Sequence, residues 1–418
     1  MALVQILHGK NLSSVLNFID KKSEKFSLSE RDHSLIRMIL ITSIRHRGDL
    51  EYILNSHLKK PLKKLKLKLQ AVLMIGAVQI VFMRVPSHAA VSTSVALCKG
   101  DISYWKSLSN ATLRNISKNS KIFKKKIQDT NLNAPEWLWK KLTNQYGLSL
   151  AKRIAESHLN NPPLDLAVKN NPEYWAKKLK GTVVFEKVVR IHKPKPIKKL
   201  DKFDQGLWWV QDAAAQIPFQ FLGNVKNKNV IDLCAAPGGK TAQLAAAGAN
   251  VTALEISPKR AEELKNNLSR LKLLSNVNIV VSNIINWRPS QKADAVLLDA
   301  PCSSTGTIRR HPDIPWRKNE SDIKNLVQIQ KDMLWASFDM ACTNAPIVYS
   351  VCSLHKEEGE EVVQHAKQNG AKLDKIKHEE LASIPEAISE EGWVRTLPCM
   401  FECKGGLDGF FIARFTST

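Results

Sequence analysis

The sequence predicts an all-α N-terminal domain over residues 1–131, a small α/β module over 132–204, and a Rossmann-like α/β domain over 205–418 with a doubly wound, mostly parallel sheet. Three observations carry this reading. Before residue 131, apolar side chains recur at helical spacing with few strand-like alternations. From Gln205 onward, short apolar strands alternate with helical segments, the pattern of parallel βαβ units. One of those strands, Asn229-Val230-Ile231-Asp232-Leu233, runs into a glycine-bearing turn that opens a helix.

In the N-terminal region the Ser27-Leu28-Ser29-Glu30 segment predicts a capping box, followed by Leu35, Met38, Ile39 and Thr42 on one helical stripe. The run from His57 to Leu69 places six lysines among leucines. It reads either as a solvated helix face or as a phosphate-contacting one. Ala71 to Val85 is the most apolar stretch, yet Gln79 and Arg84 interrupt it, and a bilayer span needs ~20 apolar residues. A buried helix is expected there, and no membrane association. A second basic run, Lys118 to Lys126, closes the region.

The middle module opens on a helix marked by Trp137, Leu138 and Leu142 and turns at Asn160-Asn161-Pro162-Pro163. Leu164 to Val168 alternates like a strand, Thr182 to Phe185 is β-rich, and Lys193 to Lys199 reads as a loop. Beyond it, strands are expected at Val251 to Glu255, Ile279 to Val281, Ala295 to Asp299 and Ile347 to Ser350, with helices from Thr241 and from Pro258 to Leu271. Ligands of such sheets bind at the carboxyl ends of the strands.

A formal charge of +23, from 62 Lys and Arg against 39 Asp and Glu, makes nucleic acid the first partner to consider and an anionic membrane surface the second. Seven cysteines without a Cys-x-x-Cys pair exclude a zinc ribbon, and no metal site is expected. Free thiols fit a reducing cytoplasm, and the N-terminus lacks the basic-then-apolar pattern of a secretory signal.

The turn Cys234-Ala235-Ala236-Pro237-Gly238-Gly239-Lys240 lets backbone amides approach a ligand closely. A phosphate-binding P-loop requires glycine where Cys234 stands, and the dinucleotide pattern needs glycines that residues 234 to 239 lack. A nucleoside-type ligand remains, with Glu255 at the end of the next strand able to accept from two ribose hydroxyls.

Asp232 to Thr241 resembles the S-adenosylmethionine loop of the RNA 5-methylcytosine methyltransferases of the NOL/NOP/Sun group. The resemblance implies a methyltransferase domain in which residues 234 to 240 wrap the methionine part, Glu255 holds the ribose and Lys240 reaches the reaction centre. Where the family usually has an Asp that contacts the adenine amino group, this chain has Asn283.

Methylation of a pyrimidine at C5 needs a thiolate at C6, an acid near N3 and a base for the C5 proton. Asp299-Ala300-Pro301-Cys302 and Tyr349-Ser350-Val351-Cys352 end two strands and resemble the family's paired cysteine motifs, with Val351 in place of the usual Thr. The resemblance implies that Cys352 attacks, that Cys302 helps release the product, and that Asp299 meets the cytosine near N3 beside the methyl donor. The alternative is the arrangement of the DNA enzymes, in which Cys302 attacks. Cys98, Cys342, Cys399 and Cys403 read as packing residues.

Three further segments resemble the rRNA-modifying members of the family: Arg309-Arg310-His311-Pro312-Asp313-Ile314, Asp408-Gly409-Phe410-Phe411, and, in the N-terminal third, Ser29 to Asp32 with Arg84 to Ala90, which is similar to a NusB-like RNA-binding domain. In the first, the arginines are candidates to hold phosphate, and Trp316 either stacks on a base or packs in a core. The resemblance implies a cytoplasmic monomer acting on small-subunit (16S) rRNA, naked or in an early assembly particle. A tRNA substrate and a catalytically silent RNA-binding assembly factor are the alternatives.

Overall fold

The computed structural model describes residues 1–127, 131–192 and 194–417, without the side chain of Lys124. Of the expected basic run and loop, that Lys124 side chain and Lys193 lie outside the described residues. Contacts divide the chain into one unit of Met1–Asn160 with Arg310–Asn319, and a second of Asn161–Arg309 with Glu320–Thr418. The stretch expected as a separate middle module is thus shared: its helix belongs to the first unit and its strands to the second.

The first unit is helical: α1 (Ala2–Leu7), α2 (Leu12–Lys25), α3 (Glu30–Arg45), α4 (Arg47–Asn55), α5 (Leu67–Val81), α6 (Ser87–Ala96), α7 (Lys106–Ile127) and α8 (Glu136–Leu159). Its core centres on α5, which is apolar nearly all round and therefore buried on nearly every face. Helix α3 is capped differently from the expectation. Ser29, not Ser27, is the N-cap: its Oγ accepts from Asp32 N at 3.1 Å and donates to Asp32 Oδ2 at 2.6 Å. Ser27 instead takes a left-handed turn conformation with φ 49°. Leu35 and Met38 lie on the exposed side of α3. The lysine-rich segment is not a helix face, because Pro61 turns the chain and a short 3-10 turn, Leu62–Lys64, precedes α5. Its six lysines are all exposed.

The second unit holds two sheets. The smaller is antiparallel, in the order β2 (Thr182–Phe185), β3 (Val188–Ile191), β1 (Leu164–Val168), β4 (Trp208–Val210), with helix α9 (Pro172–Leu179) following β1. A fully buried ion pair, Arg190 Nη2 to Asp165 Oδ2 at 2.6 Å, joins β3 to β1.

The larger sheet has a parallel heart: β9 (Pro346–Val351), β8 (Ala295–Asp299), β5 (Asn229–Leu233), β6 (Asn250–Glu255) and β7 (Val277–Val281), in that order. An antiparallel strand, β12 (Phe410–Thr416), lies against β9 and carries β10 (Lys372–Asp374) and β11 (Val394–Thr396). Helices α10 (Ala213–Gln220), α11 (Gly239–Ala246), α12 (Pro258–Arg270), α14 (Glu320–Phe338) and α15 (Glu360–Gln368) complete this unit, and the four-residue α13 (Ile314–Arg317) belongs to the first. Successive strand residues point to opposite faces. Val230, Leu297 and Val348 therefore join one core, while Ile231, Leu298 and Tyr349 join the other. Burial on both faces explains why these strands read as continuous apolar runs. Among the described residues, no helix is long and apolar enough to cross a membrane.

Candidate active site

The expected site residues fall at the carboxyl ends of adjacent parallel strands. Strand β5 gives way to Cys234, β6 ends at Glu255, β7 leads to Asn283, β8 ends at Asp299, and β9 leads to Cys352.

The turn after β5 is built by unusual backbone. Cys234 sits at φ 63°, Ala236-Pro237 is a cis peptide, and Gly238 at φ 105° caps α11, which begins at Gly239 rather than Thr241. Gly238 calls for glycine by its positive φ, and a Cβ there would also stand 2.6 Å from Leu264 Cδ1. Burial pushes the Cys234 thiol well up from its ordinary value, with Asp299, Glu255 and Asp232 adding to the effect. That keeps Cys234 protonated and suits a lining role. Behind the turn, Asp232 is fully buried and accepts from Thr241 Oγ1 at 2.6 Å. Its carboxyl is raised to about 7, first by burial, with the Thr241 bond opposing.

Two buried acceptors here have no hydrogen-bond partner: Asp232 Oδ1 and Glu255 Oε2. Buried acceptors are rarely left without donors. Glu255 Oε1 accepts from Ser257 N at 3.0 Å, and the Arg260 guanidinium lies 3.2 Å from Oε2. A glycine turn beside the unpartnered Asp232 Oδ1 and the Glu255 carboxylate fits a ligand carrying an ammonium group and ribose hydroxyls. Asn283 is exposed, and its amide oxygen accepts from Ile285 N at 3.0 Å. A carbonyl oxygen has a second lone pair, which is what an adenine amino group requires.

The residues expected to react lie at β8 and β9. Lys240 Nζ is 2.8 Å from Asp299 Oδ2, and Ser350 Oγ donates to Asp299 Oδ1 at 3.0 Å. The Lys240 ammonium also stands 5.2 Å from the centre of the Phe410 ring, so Lys240 is fixed from two sides. Cys302 Sγ and Cys352 Sγ are 3.4 Å apart, and both side chains are partly buried. The Cys302 thiol is pushed well above its ordinary value, first by its hydrogen bond to Cys352, then by burial, then by neighbouring negative charge. Either sulfur of the pair can donate to the other across that distance.

The family model described as 16S rRNA methyltransferase RsmB/F matches residues 219–416, and that of the NusB family matches residues 1–118. The ribosomal RNA small subunit methyltransferase B of Proteus mirabilis is 32% identical over 95% of this chain and 96% of its own length. Its namesake in Salmonella paratyphi B is 30% identical over 97% and 94%. This chain belongs to the RsmB/F family of methyltransferases. Among solved structures, PH0851 matches with a TM-score of 0.77 at 21% identity, over 95% of this chain and 93% of its own, which shows a shared fold. A methyltransferase homologue from Pyrococcus horikoshii matches with a TM-score of 0.55 at 27% identity, over 67% and 94%. As an RsmB/F protein with a NusB domain, the chain is an S-adenosylmethionine-dependent methyltransferase of RNA.

Two candidates for RNA contact in the Arg309 to Trp316 run have other roles. Arg309 is 2% exposed, donates to Gly405 O at 2.9 Å and pairs with Asp408 Oδ1 at 3.2 Å, so it is an internal tie and not a phosphate ligand. Trp316 packs against the core of the helical unit, with the Arg47 guanidinium 4.7 Å from its ring centre. The neighbouring Asp313 accepts from Leu12 N at 3.0 Å, and Pro315 O accepts from Trp137 Nε1 at 3.0 Å.

Glu358, Gln330, Ser303 and Ser353 escape sequence reasoning. They form a buried polar cluster directly beneath the two cysteine turns. Glu358 is one of four glutamates between residues 357 and 361, and nothing in the sequence separates it from the other three.

Proposed function

We propose that this RsmB/F protein forms 5-methylcytosine in 16S rRNA through a covalent bond between Cys352 Sγ and cytosine C6. The observation that carries the reading is the pair of sulfurs 3.4 Å apart, next to the Lys240–Asp299 ion pair, at the ends of neighbouring parallel strands. Residues Cys234 to Lys240, Glu255, Asn283 and Asp299 hold the cofactor. S-adenosylmethionine, when bound, supplies an electrophilic methyl group for C5.

The chain's own residues do the rest. The Cys352 thiolate adds to C6, and the electrons of the C5=C6 bond become available at C5. Asp299 and its partner Lys240 provide the proton that meets charge developing at N3. After C5 is methylated, a base takes the C5 proton, the C5=C6 bond re-forms and the C6–S bond breaks, returning the electron pair to Cys352. Cys302, 3.4 Å from that sulfur, serves the release step. The target base leaves its stack or already lies in a loop, since a stacked base cannot present C6 to the thiolate.

The helical N-terminal domain and its exposed lysines hold RNA by phosphate contact, which supplies affinity and no sequence reading. The protein acts as a cytoplasmic monomer on naked rRNA or an early assembly particle. The relatives in Proteus mirabilis and Salmonella paratyphi B, both small-subunit rRNA methyltransferases by name, favour small-subunit rRNA over tRNA. Bisulfite mapping of rRNA and tRNA from cells lacking the protein tests this. Loss of one 16S methylcytosine is expected; an unchanged 16S pattern with a lost tRNA position overturns the substrate, and no loss anywhere overturns the activity.

A further inference from the structure

The Glu358 side chain is fully buried, and each of its carboxylate oxygens accepts two hydrogen bonds. Oε1 takes Ser303 N at 2.7 Å and Gln330 Nε2 at 3.1 Å; Oε2 takes Ser303 Oγ and Ser353 Oγ, each at 2.5 Å. Ser303 follows Cys302 and Ser353 follows Cys352, so one carboxylate grips both cysteine turns. Other bonds tighten the same unit. Gly306 N donates to Cys352 O at 3.0 Å, Leu354 N to Thr305 Oγ1 at 3.0 Å, and Gln330 Nε2 to Pro301 O at 2.9 Å. Tyr349 OH donates to the Glu358 backbone carbonyl at 2.6 Å, fixing Glu358 to the strand that carries Cys352.

Four donors converge on the two oxygens, an arrangement that satisfies a buried carboxylate and that an amide, with one acceptor oxygen, cannot reproduce. We propose that Glu358 is a positioning residue that clamps the two cysteine turns, so that the Cys302 thiol keeps its proton and directs it at Cys352 Sγ. This rests on the reading of Cys352 as the nucleophile. Ionising Cys302 would set a second negative charge close to the Glu358 carboxylate, in a dry environment where like charges repel strongly. Glu358 is among the groups that raise the Cys302 thiol, after the Cys352 hydrogen bond, burial and the Cys352 charge. The two sulfurs thereby acquire unequal roles although they lie only 3.4 Å apart. Cys352 is left to attack, and Cys302 to manage the proton.

The test compares the full-length protein with Glu358→Gln and Glu358→Asp. Iodoacetamide labelling of Cys302 and Cys352 is followed by mass spectrometry from pH 6 to 10, alongside methylation kinetics on 16S rRNA. In Glu358→Gln the Cys302 labelling midpoint is expected to fall by ~1 pH unit or more. Its kcat is expected to fall ~10- to 100-fold, as for a misplaced reacting group, with the KM for S-adenosylmethionine held. Glu358→Asp keeps the charge and is expected to restore the midpoint and much of the rate. A Cys302 midpoint that does not move, with kcat within about twofold of wild type, overturns the proposal. Should Glu358→Gln fail to fold, the Ser303→Ala/Ser353→Ala pair loosens the clamp and keeps the charge; wild-type kcat there is equally fatal. Cys352→Ser provides the separate check. Retained methylation in that variant overturns the nucleophile assignment and with it the catalytic purpose of the clamp, whereas an unmoved Cys302 midpoint overturns the clamp alone.

Discussion

Gly306 and Gly409 approach so closely that a Cβ added to Gly306 would lie 1.8 Å from the Gly409 carbonyl oxygen. Gly409 N donates back to Gly306 O at 2.9 Å, and Gly306 N donates to Cys352 O at 3.0 Å. The closing Asp408-Gly409-Phe410-Phe411 segment is therefore a wall of the proposed reaction centre. It supports the Cys302 turn through Gly409, holds Arg309 through Asp408 and faces Lys240 with Phe410.

That contact makes Gly306→Ala a sharp probe. The obstacle is backbone on both sides, which cannot rotate away, so overpacking of ~1 to 3 kcal/mol is expected. The Cys302 turn should shift away from Cys352, with methylation falling ~100-fold or more. Thermal unfolding and a single-turnover assay check both. A stable, fully active Gly306→Ala protein would show that the two turns move independently.

The two sulfurs make distinguishable predictions. Cys302→Ala leaves the attacking thiolate in place and removes the group assigned to release. A covalent protein–RNA complex, stable to denaturing gel electrophoresis, is the expected outcome. Cys352→Ala removes the attacking sulfur and is expected to give neither complex nor product. Finding the complex with Cys352→Ala and not with Cys302→Ala would exchange the two roles.

Glu255→Gln separates binding from chemistry. Glu255 sits at the end of β6, away from both sulfurs in sequence and strand order, and is assigned to ribose hydroxyls. Replacing a charged acceptor by an amide costs about 1.5 to 3 kcal/mol in favourable cases, or roughly 10- to 100-fold in affinity. The KM for S-adenosylmethionine should rise by that factor while kcat at saturation stays close to wild type. A fall in kcat at unchanged KM would remove Glu255 from the cofactor site.

The parallel heart of the fold was legible because strands buried on both faces leave apolar runs: Ala295 to Leu298, Ile347 to Tyr349, and Val230 to Leu233, interrupted only by Asp232. The site was legible for the same reason, since Cys234, Glu255, Asn283 and Asp299 stand one or two positions beyond such a run, and Cys302 and Cys352 three or four. The antiparallel β12 was read only as a motif; Arg414 and the closing threonines blur its pattern, and its partner β9 is distant in sequence. Cap choice at Ser27 and Ser29 was ambiguous because both hydroxyls precede an acidic residue, and only the backbone decides which one turns left-handed. Glu358 was illegible on principle. Neighbouring glutamates at 357, 360 and 361 share its composition, and only the tertiary fold selects the one that lies buried beneath both cysteines.

Asp232 gives the pH prediction. Its carboxyl titrates near pH 3.9 in the unfolded chain and is raised to about 7 in the fold, chiefly by burial. The folded state thus holds the proton more tightly than the unfolded state. Its contribution is fully present below about pH 4 and is lost as pH rises through about 7, at most on the order of 4 kcal/mol. Asp232→Asn keeps an acceptor for Thr241 Oγ1 and removes the titration. Without cofactor, the two proteins should melt at similar temperatures at pH 5. By pH 8 the wild type must hold an ionised carboxylate whose Oδ1 has no hydrogen-bond partner, and the variant should melt several degrees higher. Adding S-adenosylmethionine, whose ammonium can meet that oxygen, should narrow the gap at pH 8 by stabilising the wild type more. Parallel melting curves across this range would mean that Asp232 remains ionised throughout, and that the space beside its Oδ1 already holds a donor.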